Sequence, residues 1–277
     1  MRRDIRGILS VAMSGLVLGG PLLGVAQAVD GTKLISQNNA LAGNVTPGDA
    51  PGFPVTISQP GSYVLSSNLT VPDAFTTAIE IAADHVTVDL NGFAILGPVD
   101  CSAGFPCAGE PPPIERGGDG VGSLLDNPRF NITVRNGTVQ GMGASGVSLY
   151  GDSHVVEHVN VRSNGGLGIF LRRSIDSGAS TVRHAIAQRN GGVGIYVDVG
   201  LVSHSSASVN ENAGIFVGQG TASYNFSNRN GIEGLLLGES VSYFGNNLLE
   251  NGLRPVSGGK NHGQNLCNGV TCPGAQF

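Results

Sequence analysis

The chain has 277 residues, 44 of them Gly and none Trp, with 13% charged residues and a formal net charge of −5. That is enough chain to bury a large core as one domain, and its Lys and Arg are scattered without a basic stripe, which argues against nucleic acid as a partner. Gly at this level without collagen periodicity can signal disorder, but here Gly sits at fixed places between β-branched runs, which reads as turns.

Residues 1–28 read as a secretory signal peptide. Arg2, Arg3 and Arg6 precede an apolar run from Ile8 to Val25, which ends at Ala26-Gln27-Ala28, a small-residue cleavage pattern. The rival reading, a membrane anchor, is weakened by Gly15, Gly19, Gly20, Pro21 and Gly24 within the run. The remaining chain has no segment long and apolar enough to span a bilayer. The expectation is a secreted, periplasmic or cell-surface protein without a membrane span after cleavage.

Residues 29–54 are polar and turn-rich and predict a leader or cap, with a short helix near Leu34 to Leu41. An exposed solenoid end is a sheet edge that needs covering. Strands begin at Val55-Thr56-Ile57 and continue through Tyr63-Val64-Leu65, Ile79-Glu80-Ile81 and Val86-Thr87-Val88. The pattern lapses over 98–118, a Pro-rich insertion loop. It resumes until 252, and residues 253–277 predict a C-terminal cap. The cysteines fall in two close pairs, Cys101 with Cys107 and Cys267 with Cys272. In an exported chain that arrangement predicts two small disulfide loops, each worth roughly 2 kcal/mol in the chain-entropy model. The spacing is unlike a zinc knuckle.

Between these ends the chain repeats. A Gly followed by a branched aliphatic recurs at Gly120-Val121, Gly146-Val147, Gly168-Ile169, Gly194-Ile195, Gly214-Ile215 and Gly234-Leu235, at spacings of 26, 22, 26, 20 and 20 residues. Asn-led turns precede the later copies, at Asn164, Asn190, Asn210 and Asn230. Within one copy, Val156, Val159, Val161, Ile169 and Leu171 are apolar, while Glu157, Asn160, Arg162 and Arg172 are polar. Period-two alternation broken by His158 and by Asn164-Gly165-Gly166 predicts three short strands per coil. Five inward aliphatics at roughly 1.5–3 kcal/mol each do not offset roughly 1–2 kcal/mol of backbone entropy per residue, so a coil must stack on its neighbours. The prediction is an all-β, right-handed parallel β-helix of about 8–9 coils with capped ends.

The run Val156-Glu157-His158-Val159-Asn160-Val161-Arg162-Ser163-Asn164-Gly165-Gly166-Leu167-Gly168-Ile169, its copies, and Val86-Thr87-Val88-Asp89-Leu90-Asn91-Gly92 resemble the bacterial secreted right-handed parallel β-helix proteins, the pectin lyase-like superfamily with its pectate lyases and polygalacturonases. The resemblance covers about Val55 to Gly252. It implies the fold. The fold hosts lyases, hydrolases, epimerases, adhesins and scaffolds, so the activity stays open.

Two columns of stacked residues are candidates for function. The first fills the bend between the second and third strands: Asn91, Asn136, His158, His184, His204 and Tyr224, with Tyr243 expected to follow. Members of the family often carry a stacked Asn ladder there, and this chain departs from it after Asn136. The expected role is structural. A metal held between stacked imidazoles is the weaker alternative, without a carboxylate nearby to complete it, and neither a metal nor a cofactor is expected. The second column is the outward face of the strand after each Gly-aliphatic pair. Ser148, Phe170, Tyr196, Phe216 and Leu236 lie in one row, beside Tyr150, Arg172, Asp198, Gly218 and Gly238. In the resembling enzymes this face is the floor of a saccharide groove. A row of outward aromatics is unusual on a monomer surface. It predicts either ring stacking on a polysaccharide, with an Arg172–Asp198 pair alongside, or cover by another segment or chain.

Catalysis has fewer candidates. A calcium-dependent lyase needs clustered carboxylates and a base, and Asp198 stands alone on this face. A glycosidase needs two carboxyls about 5–9.5 Å apart. Asp152, Asp176, Glu211, Glu233 and Glu239 are the other acids considered. Asp198 with Asp176 is the best pair, and His184, Arg183 or Tyr196 are the alternative bases. The leading expectation is a monomeric exported protein that binds polysaccharide or another extracellular surface. A lyase, hydrolase or epimerase is the first rival, and a structural or adhesive protein the second.

Overall fold

The structure is a computed structural model that describes residues 31–109, 117–174 and 178–274. The predicted signal peptide and Asp176 lie outside the described residues. About nine coils wind with the strands of three parallel sheets. The first sheet contains Val55–Ile57, Ile79–Ile81, Val121–Gly122, Val147–Asp152, Ile169–Arg172, the first half of Ile195–Ser203, the first half of Ile215–Ser223, Glu233–Leu237 and Arg254–Ser257. Each pairs in parallel with the next, in register, so Val147, Ile169, Ile195, Ile215 and Leu235 form one column. Their side chains are fully buried, as are the inward Leu149 and Val197 two residues on. The Gly-aliphatic repeat is therefore the inward edge of this sheet.

The second and third sheets meet at a sharp corner. Thr133–Gln140 and Val155–Arg162 each pass through it without a break in the strand. The corner residue adopts a left-handed conformation: Asn91, Asn136, His158, His184, His204 and Tyr224 have φ between 50° and 60°. Asn tolerates that region and most other non-Gly residues strain there. The next corner in the column is Gly245. Tyr243 does not continue the row as expected. It pairs with Ala222 in the second sheet and is buried, because it sits two residues ahead of the bend.

The core also contains two polar ladders that are not apparent from the apolar periodicity. After the corner between the third and first sheets come Asn164, Asn190, Asn210, Asn230 and Asn251. Asn164 Nδ2 donates to Asn190 Oδ1, Asn190 to Asn210, Asn210 to Asn230 and Asn230 to Asn251, each at 2.9 Å. The second Nδ2 proton of Asn210 goes to the Ala187 carbonyl at 3.1 Å. The residues read as turns thus turn their amides into the solenoid and satisfy one another. These amides also explain the Gly repeat. A Cβ on Gly194 would lie 2.5 Å from Asn210 Nδ2 and 2.7 Å from the Gly214 carbonyl oxygen. A Cβ on Gly168 would meet Asn190 Nδ2 at 2.8 Å. Gly is needed there for space, at ordinary φ. A second ladder, Asn225, Asn246 and Asn265, starts one residue beyond the Tyr224 corner, with Asn225 Nδ2 donating to Asn246 Oδ1 at 3.1 Å and Asn246 to Asn265 at 2.9 Å. An Asn ladder is thus present on the inner side of this bend in the last coils, from Asn225 to Asn265.

The ends differ from the expected boundaries. Lys33–Ile35, in the expected leader, already pairs with Tyr63–Leu65. The helix Gln37–Ala42 follows, capped by Ser36, whose side chain accepts from the Asn39 amide, and it buries Ala40 in the core. At the other end strand pairing runs past 252: Arg254–Ser257, Lys260–Asn261 and Leu266–Cys267 add a further coil. The disulfides join Cys101 to Cys107 and Cys267 to Cys272. The second closes a hairpin in which Leu266–Cys267 pairs antiparallel with Val270–Thr271. Pro255 removes a donor from the outermost strand of the first sheet, a common protection of an open edge.

Candidate functional site

The outward residues of the first sheet stand in one register: Ser148, Phe170, Tyr196, Phe216 and Leu236. Phe170, Tyr196 and Phe216 are half-buried, and Ser148 is buried. The rings engage one another. Tyr196 and Phe216 stack at 4.3 Å between centroids with planes 14° apart, and Phe170 meets Tyr196 edge-on at 5.0 Å. Parallel strands impose this spacing, near 4.8 Å per coil, and aromatic pairs at that distance are mutually attractive. One consequence bears on ligand recognition. Faces used for stacking on a neighbour are not offered to a sugar, so the row is a ridge that presents mainly ring edges.

The polar groups beside the ridge are arranged differently from the expected Arg172–Asp198 pair. Asp198 Oδ2 accepts from the Arg173 backbone amide at 3.1 Å. The Tyr196 hydroxyl lies near the same carboxylate, whose charge disfavours loss of its proton. Arg172 instead lies 5.9 Å from the centre of the Tyr150 ring, a cation–π distance. It forms no ion pair with Asp198, and the described ion pairs lie elsewhere, such as Arg135–Asp89 and Arg183–Glu157. Burial, reinforced by the neighbouring Asp198 carboxylate, pushes the Tyr196 hydroxyl up to about 12. A general base works best with a pKa near the operating pH, and this shift moves Tyr196 further from that role. Next to Asp198, at Gly218, the row drops into a notch. A Cβ there would come within 2.6 Å of the Asp198 carbonyl oxygen. The notch opens a cavity of about 260 Å³ walled by Arg173, Asp198, Val199 and Gln219.

The remaining acids are dispersed. Asp152 is buried and accepts from Ser174. Glu233 is buried, its carboxylate 4.0 Å from Arg254. Glu211 and Glu239 are exposed. One acid on this face was not among the candidates. Register places Glu80 on the same outward column, opposite Gly122, where it lines a cavity of about 220 Å³ with Asp119, Thr77 and Phe75. The signal was the alternation Ile79-Glu80-Ile81. The insertion before the next copy concealed which column it joins. Glu80 stands four coils from Tyr196, about 19 Å at one strand spacing per coil, beyond the separation of a glycosidase pair with Asp198.

The corner column lies on the other side of the coil. His158 and His184 stack at 4.9 Å, His184 and His204 at 5.4 Å, and His204 and Tyr224 at 5.2 Å. All four are exposed, as are Asn91 and Asn136. Asn136 Nδ2 donates to Asp89 and Asn91 Nδ2 to the Leu65 carbonyl. Near-parallel imidazoles direct their nitrogen lone pairs side by side rather than toward a common point, as a metal with N distances of about 2.0–2.1 Å requires. Among the described residues no group of three or more His, Cys, Asp or Glu is placed to hold a metal ion. His184 also borders a shallow apolar groove with Ile186, Tyr224 and Phe226.

The right-handed β-helix region family matches residues 123–268, and the chain belongs to that family. Among solved structures, the A-module of a mannuronan C-5 epimerase from Azotobacter vinelandii aligns with a TM-score of 0.42 and 15% identity, over 71% of this chain and 65% of that one. The chain therefore spans about two thirds of that module's length. No curated protein sequence matches. No described helix is long and apolar enough to cross a membrane.

Proposed function

We propose that the protein is an exported carbohydrate-binding solenoid that holds a sugar chain lengthwise along the outward face of its first sheet. The observation that supports this best is the ridge of Phe170, Tyr196 and Phe216 beside the notch at Gly218, where Asp198, Arg173 and Gln219 border one cavity. Ring edges and aliphatic carbons would flank the sugar, while the notch supplies donors and acceptors for hydroxyls. Arg172, held over Tyr150, borders the same path. Two disulfides agree with a location outside the cytoplasm. A lyase, hydrolase or epimerase is less well supported, since the described acids are dispersed and Glu80 stands four coils from the strand that carries Asp198.

Affinity electrophoresis in gels carrying neutral glucans or polyuronates tests the proposal. Wild type is expected to be retarded. F170A/Y196A/F216A and the milder R173Q/Q219A should migrate freely, each with wild-type circular dichroism. Equal retardation of wild type and both variants overturns the site. Unsaturated or new reducing ends released from the same polymers overturn the non-catalytic reading.

A further inference from the structure

A second site lies at the opposite corner of the coil. Gln140, Arg162 and Gln188 end successive strands of the third sheet, in register with one another. Each is outward, alternating with the buried Val139, Val161 and Ala187. On the next residue the chain turns left-handed, at Ser163 and Arg189, with φ of 52° and 54°. The turn brings the Arg189 side chain beside that of Arg162 on one wall.

The other wall is the disulfide loop. The Val99 amide donates to the Gly141 carbonyl at 2.9 Å, and Asp100 and Ala108 bridge antiparallel. Val99, Cys101, Cys107, Phe105 and Ala74 pack into a small core of their own, separate from that of the solenoid. Arg189 Nη1 reaches the Ser102 carbonyl at 3.4 Å. Between loop and strands lies a cavity of about 290 Å³, near the lower limit for a small-ligand pocket.

The chemistry of this cavity is one-sided. Arg135, Arg183 and Arg229 each have a carboxylate partner on an adjacent coil. Arg162 has none among the described residues. Gln140, Gln188 and Ser163 add further donors around it. Among the described residues the one acid lining the cavity, Asp100, already accepts from the Ser102 amide and hydroxyl at 2.8 and 2.9 Å. Among the described residues, two guanidiniums against one carboxylate leave one surplus positive charge, and Arg162 keeps its forked donors unused. A guanidinium matches planar or tetrahedral oxyanions through paired hydrogen bonds.

We propose that the cavity between the Cys101–Cys107 loop and the Gln140–Arg162–Gln188 column binds an oxyanion, a carboxylate or a sulfate group. A uronate carboxylate and a sulfate ester share the chemistry that Arg162 and Arg189 recognise. The site is separate from the aromatic ridge and does not rest on the function assigned to it. The loop is its removable wall.

Calorimetric titration of the full chain at low ionic strength tests this with three probes: inorganic sulfate, an oligogalacturonate and a sulfated oligosaccharide. Saturable binding of at least one probe is expected. R162Q should weaken it about tenfold or more, the range for losing a charge-assisted contact. R229Q, which removes a paired and exposed guanidinium, should leave it unchanged. The C101S/C107S variant should weaken it with the β-sheet signal intact. Preference for oligogalacturonate identifies the carboxylate as the source, and preference for the sulfated probe identifies the ester. The proposal is overturned if no probe binds, if R162Q binds as wild type does, or if R229Q weakens binding as much as R162Q. F170A/Y196A/F216A should bind as wild type does, so failure of the ridge leaves this site standing.

Discussion

At the scale of single residues the most consequential group is His154, which the sequence reading passed over. It is fully buried, its Nδ1 accepts from the Ile132 amide at 3.4 Å, and its own amide donates to Ser180. Burial lowers its pKa to about 4, against weaker opposing effects of the Tyr150 carbonyl and Asp84. The folded value lies below the unfolded one of about 6.5, so the unfolded chain takes up a proton that the folded chain refuses. Stability from this group is full above about pH 6.5 and falls between pH 6.5 and 4, by about 3 kcal/mol in all. Below that the folded state protonates too and the loss stops. Urea unfolding at pH 7.5 and 4.5 should show a smaller pH-dependent loss for H154N than for wild type; equal losses would show that His154 titrates normally. Nothing in the local sequence distinguishes His154 from the exposed His158, because a shift of four residues across a strand and corner moves a side chain from core to solvent.

At the scale of elements the Asn ladder and the Gly column are one construction. Gly→Ala at ordinary φ commonly stabilises by about 0.4–1 kcal/mol through the unfolded chain. At Gly194 the sign should reverse, since a Cβ meets Asn210 Nδ2 at 2.5 Å and a backbone oxygen at 2.7 Å. G194A is expected to cost about 2 kcal/mol or more, in the range of overpacking a core. N210A should cost about 3 kcal/mol, because it strips the amide and Nδ2 of Asn190 of their acceptor at 3.0 and 2.9 Å and leaves buried donors unpaired. The two sites touch, so G194A/N210A should lose less than the sum of the singles. Strict additivity in denaturant unfolding would mean that the Gly column and the ladder are independent. The sequence contained both halves of this construction, the Asn-led turns and the Gly-aliphatic pairs. Asn before Gly reads equally well as a solvent-facing turn, and only stacking turns the amides inward.

At the scale of the whole molecule, three parallel sheets leave little room for helix, and the described helix is the six-residue cap Gln37–Ala42. Far-ultraviolet circular dichroism should show β-structure, and a helix content above about one third, the ordinary globular level, would be incompatible with this architecture. The two ends are closed by different means, the helix at the first coil and the disulfide hairpin at the last. Each disulfide spans a short loop and adds roughly 2 kcal/mol, so the coil stack itself carries most of the stability.

By itself the sequence determined the solenoid, the inward columns, the outward row of Phe170, Tyr196 and Phe216, and the corner row from Asn91 to Tyr224. These follow from period-two alternation and a fixed repeat, which are local properties of the chain. Tertiary structure alone decided which atoms of those rows remain available. Stacking turned the ring faces of Tyr196 and Phe216 toward each other, gave the Asp198 carboxylate to the Arg173 amide rather than to Arg172, and placed Glu80 on the same face across an insertion. It also brought the Cys101–Cys107 loop against Arg162 and Arg189, more than 50 residues further along the chain. The physical reason is common to all of them. Spacing along the chain assigns a side chain to a column, but its partner sits one coil away, and the insertions and corners that set that pairing carry no periodic signal.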